Sequence, residues 1–63
     1  MIKVSELSKL IEGDIVLVKI DTDYFPIEVK MIVNTSLSKY IVGINGVAYS
    51  LNELYLSENE ASE

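Results

Sequence analysis

The clearest hairpin signal in this chain is Tyr40-Ile41-Val42-Gly43-Ile44-Asn45-Gly46-Val47-Ala48-Tyr49-Ser50, in which two β-rich runs flank an Asn-Gly pair. Asn-Gly favours a two-residue type I′ turn, because both central residues of that turn need a positive φ angle. Such a turn places Ile44 opposite Val47 and Val42 opposite Tyr49. The bulky side chains at positions 40, 42, 44, 47, 49 and 51 then share one face, which we expect to form the core. The other face carries Ile41 and the small residues at 43, 48 and 50.

Two further strands are predicted before the hairpin. Residues 14–20 are dense in β-branched side chains, and their even positions (Val16, Val18, Ile20) share one face. Residues 27–33 alternate cleanly, with apolar side chains at the odd positions and charged ones at 28 and 30, which is typical of a half-buried antiparallel strand. Between these strands, residues 20–26 are expected to form a loop.

Short turns complete the pattern at both ends. Ser5 is a good N-cap for a helical turn over residues 5–12, in which Leu7, Leu10 and Ile11 make one apolar stripe, and Gly13 ends it. Residues 51–54 suit a single 3-10 turn, and residues 55–57 a brief closing strand. The last six residues carry three acids and no base, so we expect residues 58–63 to be a disordered acidic tail.

These elements predict an all-β fold in a single domain over residues 1–57. We expect a small five-stranded antiparallel barrel, with a short N-terminal helical turn and a 3-10 turn before the last strand. Closure into a barrel would hide the strand edges that an open sheet of this size leaves exposed.

Three features resemble the Src-homology-3-like small β-barrels of the Tudor or KOW type. They are the Gly13-Asp14 opening of the first long strand with its alternating valines, the tight Asn45-Gly46 connection, and the 3-10 turn at 51–54. The resemblance covers about residues 12–57 and implies a binding module without catalysis. Short chains with a helical turn feeding a Gly-Asp strand also resemble uncharacterised proteins of phages and mobile elements, so such an origin is expected.

Composition argues against an enzyme. The chain has 63 residues, no Cys and no His, which excludes thiol nucleophiles, imidazole bases and the usual zinc ligands. A chain of this length also has little volume for a pocket of the usual ~300–1,000 Å³. We therefore expect no catalytic residues, no cofactor and no metal site.

Charge and hydropathy constrain location and partners. No apolar run approaches the ~20 residues that span a bilayer, and the first residues lack the pattern of a signal peptide, so a cytoplasmic protein without membrane contact is expected. The net charge is −5, from ten acids and five lysines. An acidic chain makes nucleic acid an unlikely partner, because such binding relies on Lys and Arg to displace counterions.

The candidate binding residues are acidic and aromatic. Asp21, Asp23, Tyr24 and Phe25 fall in the predicted first loop, where they could form a patch for a basic or proline-rich protein partner, unless Phe25 plugs the end of the barrel. Tyr55 lies between two leucines and is a candidate surface anchor.

Three alternatives stay open beside the protein-binding module. Lys19, Lys30 and Lys39 could form a basic stripe for nucleic acid. The acids at 23, 28 and 53 could instead make the protein an acidic inhibitor of a host nucleic-acid-binding or defence protein. Finally, Ile15 and Leu17 give the first long strand an apolar second face, which would support a homodimer if the N-terminal turn does not cover it.

Overall fold

The structure is a computed structural model that describes residues 2–57, and these form an all-β fold. Its strands are β1 (Ile2–Lys3), β2 (Ile15–Ile20), β3 (Asp23–Asn34), β4 (Lys39–Gly43), β5 (Ala48–Ser50) and β6 (Leu54–Leu56). Two 3-10 turns, η1 (Leu7–Lys9) and η2 (Leu51–Glu53), precede β2 and β6. The all-β class and the 3-10 turn before the last strand are thus confirmed, while the predicted acidic tail lies outside the described residues.

The sheet differs from the expected closed five-stranded barrel. Its six strands are antiparallel neighbours in the open order β1-β6-β2-β3-β4-β5. The additional strand is β1, which the sequence analysis missed because two residues are too few to show an alternating pattern. Within residues 2–57, β1 and β5 each pair on one side only and form the sheet edges. Both are very short, so edge exposure is limited by strand length, without closure.

The long strand β3 divides the sheet into two ladders. Its first half pairs with β2 from Asp23 to Glu28, and its second half pairs with β4 from Val29 to Asn34. We call β1, β6, β2 and the first half of β3 the first ladder. The second half of β3 with β4 and β5 is the second ladder.

A β-bulge lies where the two ladders meet. The pairing of β3 with β4 shifts between Val29 and Met31, so two residues of β3 oppose one step of β4. Val29 is buried, but Met31 is 47% exposed, and Ile32 packs against the core in its place. The predicted alternation over residues 27–33 is therefore wrong beyond Val29, because the extra residue exchanges the two faces of the strand.

The β4–β5 hairpin has a different register from the predicted one. Ile41 pairs with Tyr49 and Val42 with Ala48, and the Gly43 amide donates to the Val47 carbonyl (2.9 Å), so the loop has three residues, Ile44 to Gly46. The amide of Gly46 donates to the Gly43 carbonyl (2.9 Å), and Gly46 has a φ of 82°. A turn followed by a residue in the left-handed region is the usual geometry of three-residue hairpins, and glycine adopts it without strain.

The one-residue change of register overturns the predicted core face. Ile41 is fully buried, whereas Ile44 is 63% exposed and Val47 is 46% exposed. Tyr49 and Leu51 keep the predicted face and pack, half-buried, against the core. Because the side chains of a strand alternate, the slip of one residue relative to β5 turns the side chains of β4 over, so that Ile41 replaces Val42 on the core side.

Both ladders contribute to one core. Its buried members are apolar: Val4, Leu7, Leu10, Val16, Val18, Val29, Ile41 and Leu54. The N-terminal turn supplies Leu7 and Leu10, as predicted, but it is a three-residue 3-10 turn and not a helix over 5–12. Ser5 is not its N-cap, which is Glu6, and Ile11 is 68% exposed because a 3-10 turn aligns only residues three apart.

Gly43, at the end of β4 beside the hairpin loop, permits a close approach of β3 to β4. A Cβ atom at this position would lie 2.5 Å from Cγ2 of Ile27 and 2.7 Å from Oδ1 of Asn45. Asn45 is held in place, since its Oδ1 accepts a hydrogen bond from the Val47 amide (3.1 Å). The small residue predicted for the second hairpin face is therefore covered by neighbouring side chains.

The segment predicted as a loop over residues 20–26 is mostly strand. Ile20 pairs with Asp23, which leaves only Asp21 and Thr22 in the hairpin turn. Asp21 has a φ of 56°, a conformation that Asp tolerates better than most residues. Residues 24–26 consequently lie in β3, where alternate side chains point to opposite faces of the first ladder.

Candidate functional site

The first ladder has one face on the core and an opposite face whose side chains are exposed or half-buried. Lys3 and Leu17 both pair with Tyr55, and Lys19 pairs with Tyr24. Paired residues of antiparallel strands share a face. These five side chains therefore lie together on the side opposite the core residues of β2. We call Lys3, Leu17, Lys19, Tyr24 and Tyr55 the tyrosine–lysine face.

The two tyrosines of this face are in direct contact. Their ring centroids lie 5.3 Å apart, and their planes are nearly perpendicular at 86°. This edge-to-face arrangement is favourable for aromatic pairs and restricts both side chains. The Lys3 ammonium lies 5.9 Å from the centroid of the Tyr55 ring, at the outer limit of a cation–π contact (~6 Å). Both tyrosines are only half-buried, so they still present aromatic surface.

The structure divides the predicted acidic–aromatic patch between two faces. Tyr24 and Tyr55 come together, but Phe25 pairs with Val18 and points to the opposite side, where it is 45% exposed. Asp23 pairs with Ile20 and shares that side with Phe25, while Asp21 lies in the hairpin turn. Tyr24 is therefore accompanied by lysines and not by the acids that precede it in sequence.

The three lysines proposed for nucleic acid lie on different parts of the sheet. Lys19 belongs to the tyrosine–lysine face, and Lys30 lies at the bulge. Lys39 starts β4, where its ammonium donates to Asn34 Oδ1 (3.2 Å) and to the Thr35 carbonyl (3.0 Å). The lysine that does approach Lys19's face is Lys3, which sequence analysis could not select without predicting β1.

The acids are likewise dispersed. Glu28 pairs with Ile15 and therefore lies on the same side of the sheet as the tyrosine–lysine face, at the end of the first ladder farthest from the β2–β3 turn. Glu53 is engaged in a capping box, where its Oε1 accepts hydrogen bonds from the amide and hydroxyl of Ser50, both at 3.2 Å. Among residues 2–57, no group of three carboxylates converges in a way that could hold a metal ion.

Two shallow grooves adjoin η1. One, of about 190 Å³, is lined by polar side chains including Asn34 and Lys39. The other, of about 250 Å³, lies between β1 and η1, and Lys3 forms part of its wall. Both are smaller than typical small-molecule pockets of ~300–1,000 Å³. Over the part of the chain that is described, no helix is long and apolar enough to cross a membrane.

Comparison with known proteins finds no match for this chain among family models, curated proteins or solved structures. The tyrosine–lysine face is therefore the feature of the molecule that indicates a function.

Proposed function

We propose that this protein is a non-catalytic protein-binding module, which holds an acidic segment of a partner protein on its tyrosine–lysine face. The observation that carries the proposal is the half-buried Tyr24–Tyr55 pair with Lys3 on one ring and Lys19 paired beside the other. Tyrosines are enriched in protein interfaces because they bring a large contact area at a low cost in conformational entropy.

The chemistry of the face supports an acidic partner. Leu17 lies between the strands that carry the tyrosines and is half-buried, and Ile15 extends the apolar surface with 42% exposure. Around this apolar centre, the ammonium groups of Lys3 and Lys19 are placed to contact carboxylates. η1 packs on the core side of the sheet and leaves this face free.

The architecture is consistent with the module being a variant of the Src-homology-3-like fold. The proposal is supported by five consecutive neighbours in the sheet, β6-β2-β3-β4-β5, and by the 3-10 turn that links β5 to β6. We also propose a phage or mobile-element origin and a cytoplasmic location, for which the support is the sequence pattern alone.

A protein partner is favoured over nucleic acid by charge. Residues 2–57 carry seven acids against five lysines, and Lys30 and Lys39 lie away from the tyrosine–lysine face. An inhibitor that mimics nucleic acid would need its acids on one surface, whereas Glu53 is engaged with Ser50 and Glu28 lies near Ile15. The acidic-inhibitor and nucleic-acid alternatives therefore rank below the protein-binding module.

Binding to a synthetic library of acidic, end-blocked heptapeptides tests this function. The charge-reversed pair Lys3→Glu and Lys19→Glu should weaken the best binders by about tenfold or more, because each exposed lysine is replaced by a glutamate that repels the acidic peptide. The matched control is Lys30→Glu, which changes charge on an exposed strand residue outside the face and should alter affinity less than about twofold. Fluorescence anisotropy measures both effects.

Two results would contradict the proposal. One is a library in which no peptide binds wild type more tightly than the Lys3→Glu/Lys19→Glu variant. The other is tight binding of a single-stranded thymidine oligonucleotide by wild type without peptide binding, which would favour the nucleic-acid alternative, since bases stack on tyrosines between lysines.

A further inference from the structure

The edge of the sheet formed by β5 is free of charge. Residues 40–52, which include β4, the hairpin loop, β5 and the first residues of η2, contain no charged residue, although 24% of the chain is charged. Edge strands of natural proteins often carry charged side chains, which hinder pairing with a strand of another molecule, and β1 has Lys3 at the opposite edge. The β5 edge lacks this protection.

Ala48 presents its backbone polar groups at this edge. Because the Gly43 amide donates to the Val47 carbonyl (2.9 Å), these two residues form a hydrogen-bonded pair. Hydrogen-bonded and non-hydrogen-bonded pairs alternate along an antiparallel ladder, so Val42 and Ala48 form a non-hydrogen-bonded pair. The N–H and C=O of Ala48 therefore point away from β4, to the side on which β5 has no neighbouring strand within residues 2–57.

We propose that β5 pairs with β5 of a second copy of this chain, in an antiparallel homodimer whose two-fold axis passes beside Ala48. In this register the two Ala48 residues exchange both backbone hydrogen bonds, and Val47 lies opposite Tyr49 of the partner subunit. A register centred on Tyr49 would instead require the Ser50 amide, which already donates to Glu53 Oε1 (3.2 Å). The inference is independent of the proposed function.

Side chains on both faces of β5 support this register. On the core side, Val47 is 46% exposed and Tyr49 is half-buried, and their cross-strand contact in the dimer is a favourable pair of an aromatic and a β-branched side chain. On the other side, Met31 pairs with Val42 and Val42 with Ala48, and this apolar row continues across the two-fold axis into the same row of the second copy. The dimer thus removes from water apolar surface that the single chain exposes.

Charge favours this edge over the tyrosine–lysine face as the contact between two copies. In a two-fold contact each surface patch meets its own copy, so a patch of one charge meets the same charge. The tyrosine–lysine face would bring Lys3 and Lys19 to such a contact, whereas residues 40–52 bring no charge. Since β5 and the strands β1, β6 and β2 lie at opposite ends of the strand order, pairing at β5 leaves that face free on both subunits. The dimer can therefore bind two ligand segments.

Charge-swap variants of Ala48 test the inference by analytical ultracentrifugation. Ala48→Lys and Ala48→Glu each place like charges opposite one another at the axis, and each should weaken dimerisation by about tenfold or more. An equimolar mixture of the two variants should restore a dimer, because opposite charges then meet. The matched controls are Thr22→Lys and Thr22→Glu, which alter an exposed residue of the β2–β3 turn and should change dimerisation by less than about twofold.

Hydrogen exchange of the wild type provides a measurement that needs no variant. The Ala48 amide should exchange rapidly in dilute solution and should slow by about tenfold or more where the dimer forms, because it then donates to the partner subunit. The Tyr49 amide is the internal control, since Tyr49 is hydrogen-bonded to β4 in monomer and dimer, and its exchange should change less.

Five results would overturn the inference. Two of them are a wild type that stays monomeric at about 1 mM and a dimer that Ala48→Lys leaves intact. Oligomers that grow with concentration would indicate open-ended pairing of β5 with β1 of the next copy. A dimer dissociated by Lys3→Glu/Lys19→Glu would place the contact on the tyrosine–lysine face. Finally, equal protection of the Ala48 amide at every concentration would mean that the β5 edge is covered within one chain.

Discussion

The alternation of side chains along a strand predicts the buried face correctly in the first ladder and only in part in the second. In the first ladder, β2 keeps strict alternation, so Val16 and Val18 are fully buried and Lys19 points outward, as its sequence indicates. In the second ladder, the bulge in β3 and the three-residue loop after β4 each add one residue, so Ile32 and Ile41 face the core in place of Met31 and Val42, while Tyr49 keeps its predicted face. Alternation therefore predicts the buried face only within a regular stretch, because each extra residue changes the relation between the faces of the two strands that it separates.

Truncating Ile41 and Ile44 separately is the strongest test of which face of the second ladder is buried. Ile41→Ala removes a fully buried side chain from the second ladder and should cost about 2–5 kcal/mol in the free energy of unfolding. Ile44→Ala acts on a side chain that is 63% exposed and should change stability by less than about 0.5 kcal/mol. Urea denaturation followed by circular dichroism measures both.

Ile41→Val keeps the experiment informative if Ile41→Ala does not fold. The loss of one buried methylene should cost about 0.5–1.5 kcal/mol. Equal destabilisation by the Ile41 and Ile44 variants would contradict the three-residue loop, in which Ile41 is buried and Ile44 is exposed.

A second, smaller effect is expected at Gly43. Gly43→Ala places a methyl group against Ile27 and Asn45, so the strands must separate or Asn45 must release the Val47 amide. We expect a loss of about 1–3 kcal/mol, the usual cost of overpacking.

Gly46→Ala is the matched control for crowding. Nothing lies within 4 Å of a Cβ at Gly46, but its φ of 82° strains any L-residue, so Ala there should cost about 1–2 kcal/mol through the backbone. Gly46→Asn should recover part of this loss, because Asn tolerates the left-handed region, whereas Gly43→Asn should not improve on Gly43→Ala. Recovery at both positions would contradict crowding at Gly43.

The smallest effect concerns η2, which links the two ladders. Glu53→Ala removes the acceptor for the amide and hydroxyl of Ser50 and should cost about 0.5–1 kcal/mol. Asn52→Ala, an exposed neighbour in the same turn, is the control and should be near neutral. Thermal unfolding distinguishes them, and equal midpoints would mean that the capping box does not stabilise the link.

Much of the fold was accessible from sequence because local chemistry decides it. Gly13 does adopt a positive φ of 95°, Leu7 and Leu10 are buried, and η2 forms within the predicted 3-10 segment. In each case, the signal and its structural consequence lie within a few residues of one another.

The remainder depended on contacts that sequence does not display. Asn45-Gly46 is compatible with loops of two or three residues, and the choice places Ile41 rather than Val42 on the core. The candidate site shows the same limit, since Tyr24 and Tyr55 were predicted as binding residues only because they are aromatic. Their mutual contact and the addition of Lys3 follow from the pairing of β6 with both β1 and β2.

That pairing has a kinetic consequence for the binding surface. The β2–β3, β3–β4 and β4–β5 connections are local hairpins that close over short loops, whereas Ile2 meets Leu56 from the opposite end of the described chain. Contacts of large sequence separation carry the greatest loop-closure entropy and form late. We therefore expect Lys3 to reach Tyr55 after the local hairpins have formed, so that partly folded chains lack the complete tyrosine–lysine face. A ligand that binds this face binds only the native state, and therefore shifts the folding equilibrium toward that state.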